Sequence, residues 1–380
     1  MQFPIDLLIP GVVIVKDITC EEKKDFIIPA GTTLTKEHIT KCELRGIEYV
    51  YIKINDKNTS FSDTFNMIVA KAVKEGKLSK LKELSLVYKN YIEALNDIKF
   101  DFSKYVSDRT QSMNPYKHVA NVTNMALTIA KNYNKKLPKK EKIPLEKLAL
   151  ASLLQDVGRL AFNPKVLSTL KIDFMSTVNN LRKDYPGIPG NVLFKYLPDY
   201  HGLYGYLLTI NMDIDETTRK TILLHQERYN NRDVGLGISL KLYRKDKQAA
   251  LMAMLIRACD IYDGLLYEGP KKNKQVPFAS IPKVINLLVS KDYIYGEAVK
   301  MMFEYIPLFR IGSIVRLSDN RLAIVSRVDA DNQFNPTCID FDYRYIDMKK
   351  ERLKVVNIVS EDELRKWKRL VFSLFLTFKR

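Results

Sequence analysis

Leu153-Leu-Gln-Asp-Val-Gly-Arg159 is the stretch on which the reading of the fold turns. It closes an apolar run in which Leu145, Ala149, Ser152 and Asp156 recur at helical spacing, so the pattern predicts a helix with Asp156 on its inward face, ending near Gly158. A carboxylate turned inward needs a cation or hydrogen-bond donors, because a buried, unpaired charge is costly. Working outward, the same demand recurs. Asn114-Pro115 is a helix start, with an N-cap side chain and a proline at the first helical position, and it sets His118, Val122, Met125 and Ile129 on one face. His201 and His225 lie beside or within further apolar helical stretches. Leu251-Met-Ala-Met-Leu-Ile-Arg-Ala-Cys-Asp260 is a nearly continuous apolar helix that ends in an acid. One histidine on an apolar face is commonly a satisfied core residue. Three of them in series with two inward acids suggest ligands carried on several helices to a shared metal. The fourth histidine, His38, lies outside the series.

With 380 residues, 46% of them hydrophobic, the chain is long enough for two or three domains. The expected class is mainly α, a central helical bundle flanked by small β-rich units. Residues 1–55 read as a small β-rich N-terminal domain: Val12 to Val15, Phe26 to Ile28 and Tyr49 to Ile54 are strand-like runs punctuated by Pro10-Gly11, Pro29-Ala-Gly31 and Gly46. Residues 64–305 take helical spacing. Residues 306–359 return to strands, with Ser313 to Leu317 and Leu322 to Val328 forming a hairpin at Ser318-Asp319-Asn320, and with Cys338 to Phe341 and Leu353 to Ile358 as further strands. Residues 360–380 open on a capping box, Ser360-Glu-Asp-Glu363, and continue as a basic amphipathic helix that holds Trp367. Its basic flanks and aromatics suit a membrane surface or a partner, but packing on the protein's own surface is the first expectation.

No run approaches the roughly 18 apolar residues of a membrane span, and no basic region precedes an apolar one at the start. The expected location is therefore the cytoplasm, with peripheral membrane contact through residues 364–380 as the one route to a bilayer. Cys20, Cys42, Cys259 and Cys338 form no Cys-x-x-Cys pair, which argues against a zinc ribbon, a redox motif or a disulfide framework and for buried free thiols. The net charge of +17 favours anionic partners, but the lysines are spread along the chain, so charge alone selects none. No recognised reader motif or aromatic platform points to specific nucleic-acid binding.

The motifs over residues 112–305 resemble those of the HD-GYP domains of bacterial cyclic di-GMP phosphodiesterases, within the larger HD metal-hydrolase superfamily. Gln155-Asp-Val-Gly-Arg159 resembles that family's H-D-x-G-K, with Gln155 for the histidine and Arg159 for the lysine. His201-Gly-Leu-Tyr-Gly205 resembles its H-x-x-x-G. His225-Gln-Glu-Arg-Tyr-Asn-Asn-Arg-Asp-Val-Gly235 aligns with H-H-E-x-x-D-G-x-G-Y-P, keeping His225, Glu227 and Tyr229 but carrying Gln226 for the second histidine and Asp233-Val-Gly235 for the naming tripeptide. Ala258-Cys-Asp-Ile-Tyr-Asp263 resembles A-D-x-x-D. The flanks agree, in Pro29-Ala-Gly-Thr32 and Gly312-Ser-Ile-Val315.

The resemblance implies a metal-dependent phosphodiester hydrolase acting in cyclic di-GMP signalling. Carried over position by position, the metal set is His118, Gln155, Asp156, His201, His225, Gln226 and Asp260. Asp156 and Arg159 are the catalytic positions, and Arg159, Lys271 and Lys272 face the phosphates, the lysines standing near Gly269-Pro270 where many members have an arginine before proline. The implied cofactors are one or two divalent ions, iron or manganese. A glutamine offers only a neutral amide oxygen in place of an imidazole, so Gln155 and Gln226 imply a weakened or lost site. A second reading follows from that loss: an inactive adaptor that binds cyclic di-GMP or a related cyclic dinucleotide, or a diguanylate cyclase or other signalling protein, without turnover. The stretch from Asp156 to His201 is longer than is usual in the family, which places an insertion at about 175–197 that would serve as a lid or a partner surface.

Overall fold

The computed structural model describes residues 2–20, 23–53, 71, 115–162, 173–189, 191, 198–210, 212, 214–230, 235–266, 280–306, 308–309, 311–328, 335–342 and 344–359. The C-terminal helix expected over 360–380, the N-cap Asn114, and Lys271 and Lys272 lie outside them. The architecture is mainly helical at its centre with small β units towards both ends. Contacts divide the chain into two compact units, the first made of residues 1–98 and 115–257, the second of 99–114 and 258–380.

In the first unit, β1 (Gln2–Pro4), β5 (Tyr49–Lys53) and β2 (Val13–Ile14) form an antiparallel sheet in the order β1-β5-β2, while β3 (Ile18–Cys20) and β4 (Lys23–Ile28) pair separately. The turn at Pro29-Ala-Gly31 needs φ of +86 at Gly31, a conformation glycine adopts without steric cost, and Thr32 Oγ1 donates back to Pro29 O at 2.7 Å. α1 (Lys36–Leu44) opens on a capping box in which Thr35 accepts from the His38 amide and His38 Nδ1 accepts from the Thr35 amide. His38 therefore has a structural task. Ile14, Leu34, Cys42 and Ile52 form the buried floor of this part.

The helices of the first unit are α2 (Pro115–Tyr133), α3 (Leu145–Leu154), α4 (Phe174–Asp184), α5 (His201–Leu208) and α6 (Glu216–Leu224), with α7 (Lys247–Leu266) entering it as far as Arg257. α2 buries Val122, Met125 and Ile129 against α3, as their spacing predicts. α3 stops at Leu154, earlier than expected, so Gln155 and Asp156 sit in a turn leading to a short 3₁₀ segment, Val157–Phe162. α6 begins at Asp215, whose carboxylate accepts from the Thr218 amide at 3.2 Å and pairs with Lys147 of α3 at 3.0 Å.

The second unit holds the end of α7, α8 (Ile281–Ser290), α9 (Gly296–Tyr305) and a five-stranded antiparallel sheet, β6 (Ile314–Leu317), β7 (Leu322–Arg327), β8 (Thr337–Ile339), β9 (Tyr345–Ile346) and β10 (Val355–Ile358), in the order β10-β6-β7-β8-β9. The β6–β7 turn falls where the sequence puts it, with Asn320 at φ +69, a conformation asparagine tolerates. Val315, Leu317, Ala323, Val325 and Cys338 alternate inward to make its core. Cys42, Cys259 and Cys338 are buried free thiols.

Candidate metal centre

Close backbone contact between elements, set by glycines, brings the site residues together. A Cβ on Gly158 would stand 1.9 Å from His201 O and 2.5 Å from Gly205 N. Only glycine lets the start of α5 lie on the turn that carries Asp156. A Cβ on Gly202 would meet Leu223 O at 2.7 Å, so α5 also presses onto the end of α6, where His225 is the capping residue. Two helix ends and one turn thus converge.

Their side chains converge with them. Asp156 Oδ1 lies 3.1 Å from His201 Nε2, and His201 Nε2 lies 3.0 Å from His225 Nε2. One ligand atom from each of Asp156, His201 and His225 falls within 4.8 Å of the others, and both imidazoles are buried. His118 Nε2 is 4.0 Å from Asp156 Oδ2, and its ring is buried too. Metal–ligand bonds of ~2.0–2.2 Å at right angles put neighbouring donor atoms about 3 Å apart, so these spacings fit donors that share one ion.

Protonation fits as well. His225 Nδ1 is 2.7 Å from Ile222 O, and a carbonyl only accepts, so Nδ1 carries the proton and Nε2 keeps its lone pair towards the cluster. Burial alone would raise the Asp156 carboxyl. The hydrogen bond to His201 and the charges of Arg159, His201 and His118 outweigh it and hold the group well below the usual carboxylate range. Asp156 is a ready anion.

The two glutamines differ. Gln155 is 1% exposed, and neither its Nε2 nor its Oε1 has a hydrogen-bond partner. An orphaned amide beside Asp156 is a costly arrangement that a bound group would relieve. Gln226 is half-buried and its Oε1 accepts from Arg257 Nη1 at 2.9 Å. Arg159 is exposed and donates from Nε to Asp156 Oδ1 at 2.7 Å. Asp260 is half-buried on α7 in the second unit, and the fully buried Asp263 follows it there, its carboxyl pushed well up by burial.

Two participants have no role in the sequence reading, Glu227, which is named there only as a retained motif position, and Arg257. Glu227 is 2% exposed and its carboxylate accepts from the amides of Leu236 at 2.7 Å and Ile238 at 2.8 Å. Burial pushes it up to about 7 against these two bonds and the nearby charge of Arg257. These two bonds tie the Glu227 carboxylate to the backbone of Leu236 and Ile238. Arg257 had a visible signal, as the lone basic residue in the apolar run from Leu251 to Cys259.

α4 occupies the start of the segment between Asp156 and His201 that the sequence reading places at about 175–197, and its end is strapped to the segment after His225. Asp184 pairs with Lys245, Tyr185 Oη lies 3.0 Å from Tyr243 Oη, and Gly187 packs so closely that a Cβ would meet Leu236 O at 2.3 Å. A polar cavity of about 290 Å³ lies between α4, α5 and α6, lined by Asn180, Tyr206, Glu216, Lys220 and Lys245 among others, and no cluster residue lines it.

No family model and no curated protein matches this chain. Among solved structures it is similar to Bd1817, a HDG"Y"P protein from Bdellovibrio bacteriovorus, at 15% identity and a TM-score of 0.36, over 80% of this chain and 98% of that one. At that depth the likeness adds nothing to what the residues themselves carry.

Proposed function

We propose that this chain is an HD-GYP-type protein that uses a divalent metal to hydrolyse a cyclic dinucleotide, cyclic di-GMP by the resemblance of its motifs. The observation that supports this best is the buried group Asp156, His201 and His225, with ligand atoms within 4.8 Å of one another and His118 alongside. Those four residues would hold the ion, with Gln155 and Asp260 as further candidates. When bound, such an ion supplies a water acidified towards neutral pH and positive charge at the phosphoryl oxygens.

The chain's own residues divide the remaining work. Asp156 is held as an anion by His201 and Arg159. His225 is fixed in the tautomer that offers Nε2, by its bond to Ile222 O. Arg159, exposed and paired with Asp156, presents a planar guanidinium suited to a phosphate, and Lys271 and Lys272 are proposed to add point charges to the same ligand. The test is release of the linear dinucleotide from cyclic di-GMP by manganese- or iron-loaded protein. Activity in the native chain and its loss in Asp156→Ala support the reading, and equal rates in both remove it.

The adaptor reading rests on one observation of its own: the Gln226 amide oxygen is already engaged by Arg257. It requires saturable binding of cyclic di-GMP, or of a diguanylate cyclase, with no product. Equilibrium dialysis with labelled nucleotide, followed by chromatography of the recovered ligand, separates the two readings.

A further inference from the structure

We propose, resting on the metal reading above, that the site is built for a single divalent ion and that Arg257 is the positioning residue that keeps a second ion out. The Asp156 carboxylate is already answered on its Oδ1 side by Arg159 Nε at 2.7 Å and His201 Nε2 at 3.1 Å, with His118 Nε2 4.0 Å from Oδ2. Gln226 follows His225 directly, and its one atom able to ligate a cation is Oε1. That oxygen accepts from Arg257 Nη1 at 2.9 Å. A guanidinium stays charged throughout the accessible pH range, so an ion approaching Gln226 Oε1 meets like charge at a few ångströms.

Arg257 is itself held in place. The half-buried side chain lies close enough to the buried Glu227 carboxylate to stabilise its charge, and Glu227 is fixed by the amides of Leu236 and Ile238. Moving Arg257 aside would withdraw the cation beside a buried acid. Gln155 has no such competitor, since both of its amide atoms lack partners. The two glutamines therefore differ in kind. An imidazole at position 155 adds a ligand, whereas an imidazole at position 226 alone faces a guanidinium.

The experiment loads the full chain with excess manganese, removes unbound ion, and measures equivalents by inductively coupled plasma mass spectrometry. Manganese electron paramagnetic resonance accompanies it, because that spectrum separates an isolated ion from a coupled pair. Circular dichroism melts confirm that each variant is folded. One equivalent is expected in the native chain and in Gln226→His, and close to two, with a coupled spectrum, in Gln226→His combined with Arg257→Gln. Gln155→His is expected to keep one ion and bind it roughly tenfold or more tightly. Two ions in the native chain or in Gln226→His alone, or one ion in the folded double variant, overturns the inference and leaves the metal reading standing. No ion in the native chain at saturating manganese overturns the metal reading and the inference with it. If Arg257→Gln does not fold, Arg257→Met in its place carries the same expectations.

Discussion

Asp156 touches both a guanidinium and an imidazole of the centre, with a second imidazole 4.0 Å away, so its loss is the most telling single change. Asp156→Ala is expected to weaken ion binding by a hundredfold or more, following loss of a first ligand. The fold should persist, because the residue is partly exposed and removing it leaves no buried acid behind. Ion titration beside a thermal melt checks both. Glu227 gives the pH prediction. Its folded value, about 7, lies above the ordinary 4.5, so its contribution to stability is fully present below 4.5 and is lost as pH rises through 7. The apo protein should lose on the order of 3 kcal/mol across that window from this group, and Glu227→Gln should flatten that part of the curve in urea melts made with a chelator present. His118, Asp156, His201 and His225 were legible from sequence because an ionisable group in an apolar helical stretch is conspicuous. The bond from Arg257 to Gln226 was not, because it joins residues 31 apart and no periodicity links them.

Between elements, small residues decide how closely backbones approach. Gly158→Ala would drive a methyl into His201 O and Gly205 N, so it should either unfold the first unit or push α5 away, and in both cases abolish ion uptake. Metal analysis with a melt distinguishes these. Asp215→Ala removes the cap of α6 and its pairing with Lys147, and should cost about 1–2 kcal/mol in chemical denaturation. Because α6 ends at His225, ion affinity should fall with it. The helical spacing that predicted α3 carried it on to Gly158, whereas the helix stops at Leu154 and Asp156 stands in a turn. Period alone cannot see that α5 must lie against Gly158. The strands β1, β3 and β9 escaped the sequence reading for another reason: at two or three residues they are too short to show alternation, and they exist through their partners β5, β4 and β8.

Across the whole molecule, the expected plan of a helical centre between small β units is present, and it was readable because the hydrophobic period switches from two to about four and back. The contacts nevertheless divide the chain inside α7, between Arg257 and Ala258, a boundary that an unbroken apolar helix hides in sequence. No described helix is long and apolar enough to cross a membrane. The surplus of 61 lysines and arginines over 44 acids suits an anionic ligand without naming one, whereas the group Asp156, His201 and His225 has the donor set of a cation site. The most direct test is elemental analysis by inductively coupled plasma mass spectrometry of the tag-free full chain as purified, beside Asp156→Ala. Close to one equivalent of iron, manganese or zinc is expected in the native chain and none in the variant. A native chain that carries no ion, and takes up none when all three are supplied in excess, would contradict the metal reading.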